Sequence, residues 1–233
     1  MKKTFLALFL GGAFTLASCG GDGPKERAQE AKTEEAKEKK EATETAMVYD
    51  VDNAETVIKW EGKKRYVESY HEGDIKVKSG MLSVEGENLT AGNFVIDMET
   101  IVNHDLDDEK NKAKLVGHLQ SDDFFHVAEY PEATFEITDI SALEGDVENT
   151  HEISGNLTMR GTSKNITFPA KVTVSGDHVK AKATFAIDRK RWNVSYGAES
   201  TFEEITDKMK DKVIDDQIDL DIHLVAKATS AEK

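Results

Sequence analysis

Cysteine is almost absent from this chain of 233 residues: Cys19 stands near the N-terminus and no other follows it. The body beyond it cannot form an internal disulfide, so its stability must come from a core whatever its redox compartment. Long hydrophobic runs are missing too. The one apolar stretch, from Thr4 through Phe14, falls well short of the roughly 20 residues that a membrane-spanning helix needs. Positive charge is in deficit. From Met47 onward 37 acidic residues face 22 basic ones, so the net charge of −15 sits on the body of the protein. That argues against a basic patch for a nucleic-acid backbone or an anionic membrane surface. The seven histidines form no HxH or HxxxH pair that could begin a metal site. There is no Gly-x-Ser-x-Gly elbow, phosphate-binding glycine loop or dinucleotide fingerprint. The acid-rich run Asn103 to Glu109 lacks the sixth-position glycine of an EF-hand loop and reads as a solvated helix start.

What is present divides the chain into four parts. Residues 1–18 carry Lys2 and Lys3 before the apolar run and read as a signal peptide to be removed. Leu16-Ala17-Ser18-Cys19 resembles a bacterial lipobox, which implies acylation of Cys19 and a lipid-anchored form in the cell envelope. Gly20 follows the cysteine in place of an inner-membrane retention aspartate, so the expected location is the outer membrane facing the periplasm. Residues 19–46 then read as a linker of Ala, Glu, Lys and Thr, too poor in apolar side chains to fold with a domain. Such a linker would hold the domain roughly 40 to 90 Å from its anchor, according to whether it is helical or extended. Residues 47–229 are long enough for one domain with a sizeable core, and 230–233 form a tail.

Within the domain the dominant pattern has period two. Ile58 and Trp60 share a face, as do His71, Ile75 and Val77, then Phe94, Ile96 and Met98, and near the end Ile218, Leu220, Ile222 and Leu224. One apolar and one wet face per segment suits an antiparallel sheet. Turns are expected at Gly80, Gly145, Gly161 and Gly176, and helix at Asn103 to Gly117 and Glu203 to Val213. In the central stretch Leu115 to Thr138, Ser121 is placed to cap a short turn ahead of Phe124 and Phe125, and Pro131 opens a strand through Ala133, Phe135 and Ile137. Alternation leaves a sandwich and a closed barrel both open.

The ordered blocks WEGK at Trp60, HEGDI at His71, GNFVIDM at Gly92, GHLQSDDFF at Gly117, ATF at Ala133, GNLTMRGTSKNITFP at Gly155 and FAIDRKRW at Phe185 resemble the YceI-like family of polyisoprenoid-binding, lipocalin-like proteins. The resemblance runs from about Val48 to Ala226. It implies a mainly β fold, an eight-stranded antiparallel barrel with one or two short helices and an elongated cavity. Its implied function is non-enzymatic carriage or sequestration of a prenyl lipid such as an isoprenoid quinone, without a cofactor. On that view Trp60, Phe94, Phe125, Phe135, Leu157, Phe168 and Phe185 would line the tail of the ligand, while His71, Arg189 and Trp192 would meet its polar end. Parity supports His71 and Arg189 as polar residues in step with apolar neighbours, where each is either satisfied internally or open to a head group. Arg160 falls on the wet face, at an outer or rim position. Four Asn-x-Ser/Thr sequons, at Asn88, Asn156, Asn165 and Asn193, are given no role. Two other functions compete: an enzyme using His71 as acid or base with Arg189 stabilising an anion, and an interaction module whose barrel is filled by its own side chains.

Overall fold

The computed structural model describes residues 28–229, so the signal segment, Cys19 and residues 230–233 lie outside it. In chain order the strands are β1 (Lys32–Glu35), β2 (Met47–Val51), β3 (Val57–Lys64), β4 (Tyr70–Glu85), β5 (Asn88–Asp97), β6 (Glu132–Ala142), β7 (His151–Met159), β8 (Thr162–Ser175), β9 (His178–Asp188) and β10 (Ile214–Ala228). The helix α1 (Glu109–Gln120) lies between β5 and β6. From β3 to β10 each strand pairs antiparallel with the next, and β10 closes on β3 through Leu220↔Trp60 and Ile222↔Ile58. This is the eight-stranded barrel that the resemblance implies. β2 pairs with β4 and β10 as well, so it continues the place of β3 in the ring beyond a turn at Asp52. The Asp52 side chain accepts from Ala54 N–H (2.9 Å) and Glu55 N–H (3.2 Å) and tightens that turn.

The alternating apolar residues point into one shared interior, where Phe94, Phe135, Phe168 and Phe185 form a ladder with ring centroids 6.3, 5.8 and 4.0 Å apart. One end of the barrel has short connections, among them the left-handed glycine turns at Gly86 and Gly176. At the other end lie the long connections 98–131 and 189–213, which fold over the mouth.

Several local expectations are corrected. Gly80 lies inside β4, and the turn falls at Gly86, whose φ of 65° suits a residue without a side chain. The helix begins at Glu109 and not at Asn103, because Asp108 caps it by accepting from Asn111 N–H at 2.8 Å. Residues 101–104 instead run beside β4, with Val102 N–H on Asp74 O (3.0 Å) and His104 N–H on Glu72 O (2.9 Å). A turn does follow Ser121, whose carbonyl accepts from Phe124 N–H (3.1 Å), but the side chain does not cap it: Ser121 ends α1, and its hydroxyl donates back to His118 O at 2.7 Å. Glu203 to Val213 is not an α-helix. Its only helical piece is a single tight turn over Lys210–Lys212: Ile205, Met209 and Val213 recur at helical spacing, but only Val213 is buried, so no full stripe docks.

The largest departure concerns the linker. From Ala28 it lies on the barrel: β1 pairs with β8, Lys37 bonds to Asn156, and Lys40 N–H donates to Ile137 O at 2.8 Å where β6 bulges. Composition excluded a core contribution, and among residues 28–46 only Ala31 is indeed buried. Main-chain pairing with a strand edge, however, requires no apolar side chain.

Candidate functional site

The barrel encloses a cavity of about 250 Å³ that extends along its axis. Its wall is almost wholly apolar. Polar side chains enter the lining only at Trp60, Thr56, Lys182, Arg189, Asp215 and Gln217. Trp60, Phe94, Phe125, Phe135, Leu157, Phe168, Phe185 and Arg189 all line it, so eight of the residues singled out in the sequence meet in one space. α1 and the turn after it close the mouth with Leu119, Phe124 and Phe125.

His71 and Trp192 are not in that lining. His71 sits beyond the point where Val102 crosses β4. At Gly73 a Cβ would come within 1.8 Å of the Val102 carbonyl oxygen, so the crossing requires glycine, and His71 is left outside the cap. There its Nδ1 lies 2.8 Å from Asp105 Oδ2. Burial would raise the Asp105 carboxyl, but hydrogen bonds from Glu72 N–H, His71 and Asn103 outweigh it and hold the pKa below the ordinary aspartate value. Trp192 belongs to the tight turn Arg189–Trp192, past the end of β9, so strand parity no longer governs it. It is fully buried, and its Nε1 donates to Leu157 O at 2.9 Å.

Arg189 reaches the cavity wall, but its donors are directed elsewhere. Nε donates to Asp215 O (2.9 Å), Nη1 to Val194 O and Tyr196 O (both 2.9 Å), and Nη2 to Ile214 O (3.3 Å). It thus gathers the 189–213 connection around itself. Burial lowers the guanidinium pKa, while the nearby charges of Asp216, Asp188 and Asp215 act against that shift. Trp60 is different: it is 9% exposed, it lines the cavity, and its Nε1 has no hydrogen-bond partner.

Three features escaped sequence reasoning. Gly155 lies under Phe135, and a Cβ there would come within 2.2 Å of the ring, so this glycine sets the depth of the aromatic ladder. Arg160, a rim residue as parity indicates, joins the two long connections by donating to Asp122 O (2.6 Å), Phe124 O (2.7 Å) and Asn193 O (2.9 Å). Asn156 and Asn165 are buried on the outer face beneath residues 36–40, and their only signal was two amides in otherwise ordinary wet-face positions. Among the described residues no group of three His, Cys, Asp or Glu side chains could hold a metal ion, and no helix is long and apolar enough to cross a membrane.

Fold and cavity define a closed antiparallel β-barrel with an apolar interior, the lipocalin-like class. Residues 49–226 match the YceI-like domain model, and the chain belongs to that family. It is 42% identical over 69 residues to a UPF0312 protein of Pseudomonas aeruginosa and 41% identical over 69 residues to YceI of Salmonella arizonae, covering 30% of this chain and 34% of each relative. The matched stretch is thus about a third of the length of those relatives. Among solved structures it is similar to BcnA of Burkholderia cenocepacia (TM-score 0.56, 24% identity, 76% of this chain and 99% of that one). It is also similar to a polyisoprenoid-binding domain from Saccharophagus degradans described as implicated in plant cell wall breakdown (TM-score 0.57, 19% identity, 78% and 99%). At these identities the structural likeness concerns the fold.

Proposed function

We propose that the barrel binds a linear prenyl lipid in its cavity and carries or sequesters it without transforming it. The observation that carries this reading is the unfilled, almost wholly apolar space of about 250 Å³ in a barrel otherwise packed with Phe, Ile, Val and Leu. An empty cavity forgoes dispersion contacts along its wall, and a hydrocarbon guest restores them. Each buried methylene contributes about 0.8 kcal/mol, so a few isoprene units offset the ordering of the chain and reach micromolar affinity, about −8 kcal/mol. The polyisoprenoid-binding domain of Saccharophagus degradans, which shares the fold, supports the choice of ligand class.

The unpartnered Trp60 Nε1 supports a ligand whose polar end carries an acceptor oxygen, as a quinone or a prenyl alcohol does. In this reading Trp60 takes the head-group role expected of His71 and Arg189, because His71 lies outside the lining and Arg189 is engaged by main-chain carbonyls. For the same reason an acid–base role for His71 at a ligand in the cavity finds no geometric support. The lipobox-like segment favours an acyl anchor on Cys19 and an envelope location, outer membrane facing the periplasm.

The test uses the full chain with Cys19→Ser, extracted with organic solvent for mass spectrometry and titrated with retinol, an isoprenoid alcohol whose fluorescence rises on leaving water. Copurified prenyl lipid or saturable uptake at micromolar concentration is expected. Repeated lipid-free extraction together with no uptake would end the carrier reading.

A further inference from the structure

The ring is joined by strand pairing on every side, but at one seam the pairing stops halfway. β8 and β9 pair from Ser175↔His178 to Lys171↔Lys182 and no farther, although β8 starts at Thr162 and β9 runs to Asp188. Pro169 accounts for the break. Val172 N–H and the Ala170 carbonyl both meet Thr150, on the β7 side. Main-chain groups alternate between edges, so residues 169 and 171 turn theirs toward β9. Proline has no N–H to offer at that place.

Past Pro169 the two strands part and the chain's own residues 29–35 fill the gap. β1 pairs antiparallel with Lys164–Thr167 on the edge of β8 that β7 leaves free. On the other side Ala31 N–H donates to Ala186 O (2.7 Å) and Ala186 N–H to Gln29 O (2.8 Å).

We propose that this seam is the route by which an apolar chain reaches the cavity, with residues 29–35 as its displaceable seal; the proposal rests on the lipid-binding reading above. A strand lodged between two others holds them two spacings apart, about 9 to 10 Å. Removing it leaves a slot that a hydrocarbon chain fits. The seal is lightly held. Ala31 is its one buried side chain, and its ion pairs, such as Lys164 Nζ with Glu35 at 2.7 Å, lie open to solvent. Behind it, Phe168 and Phe185 stack across the same gap with centroids 4.0 Å apart, and both rings face the cavity. The chain is pinned just downstream: Lys37 N–H donates to Asn156 Oδ1 (2.9 Å), and Asn156 Nδ2 returns a bond to Lys37 O (2.5 Å). Displacement is therefore confined to the segment over the slot. The mouth is a poorer route, since Arg160 and Arg189 fasten its caps through seven hydrogen bonds to main-chain carbonyls.

The test is a reversible lock. Lys32 and Thr167 are directly opposed partners, and the roughly 5.5 Å Cα separation of a hydrogen-bonded antiparallel pair suits a disulfide. The full chain carrying C19S, K32C and T167C is compared in oxidised form and in a form reduced and desalted beforehand, by stopped-flow uptake of retinol. Oxidation is expected to slow uptake at least tenfold while leaving the equilibrium affinity within twofold. In C19S protein without the lock, Ala31→Glu, which loosens the seal, is expected to speed uptake. Equal rates in the oxidised and reduced forms would overturn the lateral route and leave the carrier reading intact. Absence of binding in both forms would remove the carrier reading, and this one with it.

Discussion

Arg189 donates to four main-chain carbonyls from within the wall of the cavity, so its side chain acts as a scaffold for residues 194–215. In Arg189→Met the volume is nearly kept, but those carbonyls lose their donors, the Asp215 and Val194 carbonyls at fully buried hydrogen bonds. The expected cost is at least about 3 kcal/mol, seen as a lower urea midpoint with an unchanged slope. Parity located this residue correctly because β9 is regular up to Asp188; what it bonds to depends on the loop that follows, which no periodicity describes. His71 illustrates the opposite case, since its parity agrees with Ile75 and Val77 yet the crossing of Val102 over Gly73 cuts it off from the interior. Its partner Asp105 has a carboxyl pKa held below the ordinary value in the fold. A depressed carboxylate stabilises the folded state above its unfolded pKa, near 3.9, and that contribution is lost as pH falls through the folded value. Residues 101–108 are therefore expected to loosen below about pH 4. Measured as protection relative to the intrinsic exchange rate at each pH, the amides of Glu72 and Leu106 would lose protection there in the parent protein, whereas Asp105→Asn should show the same protection at pH 3 and pH 6.

Strands were legible wherever one face is apolar, and the elements that escaped are those held by main-chain or amide hydrogen bonds. The segment 28–46 is the clearest example, since nothing in its composition distinguishes a free linker from one lying along a strand edge. Asn156 and Asn165 are what make the difference: Asn165 Nδ2 supports Asn156 Oδ1 at 3.0 Å, and Asn156 in turn holds Lys37. Asn156→Ala is expected to release that pin. Hydrogen exchange at the amides of Ala31 and Lys37 should accelerate at least tenfold while the β7–β8 hairpin amides stay protected, at a global cost of about 1 to 2 kcal/mol. Unchanged exchange at Ala31 would mean that β1 is held by its pairing alone. Expected helix at Glu203 to Val213 failed for a related reason. Charged residues with adequate propensity do not make a helix when no stripe docks against the body, and Ile205 and Met209 are only half-buried.

Closure of the ring is a property of the whole chain, and alternation could not supply it. Period two reports a wet and a dry face for each strand but not whether the last strand meets the first, which here depends on Leu220 lying opposite Trp60. The resemblance carried that information. The docked segment also changes how far the molecule would stand from a membrane. A free linker over residues 20–46 would place the barrel roughly 40 to 90 Å away. With residues 29–35 lodged between β8 and β9, the chain left between Cys19 and Ala28 can reach no more than about 30 Å even when fully extended. If Cys19 is acylated as proposed, the β8–β9 seam is tethered nearest the lipid surface, while the net charge of −15 discourages any other part of the barrel from settling on anionic lipid. Neutron reflectometry on a supported bilayer carrying the acylated full chain should then find the gap between lipid head groups and protein no wider than about 30 Å. Ala31→Glu, by freeing the segment back to the Asn156 pin, should widen the limit of that gap. An unaltered protein standing much farther away would show that residues 29–35 leave the seam when the anchor is under load.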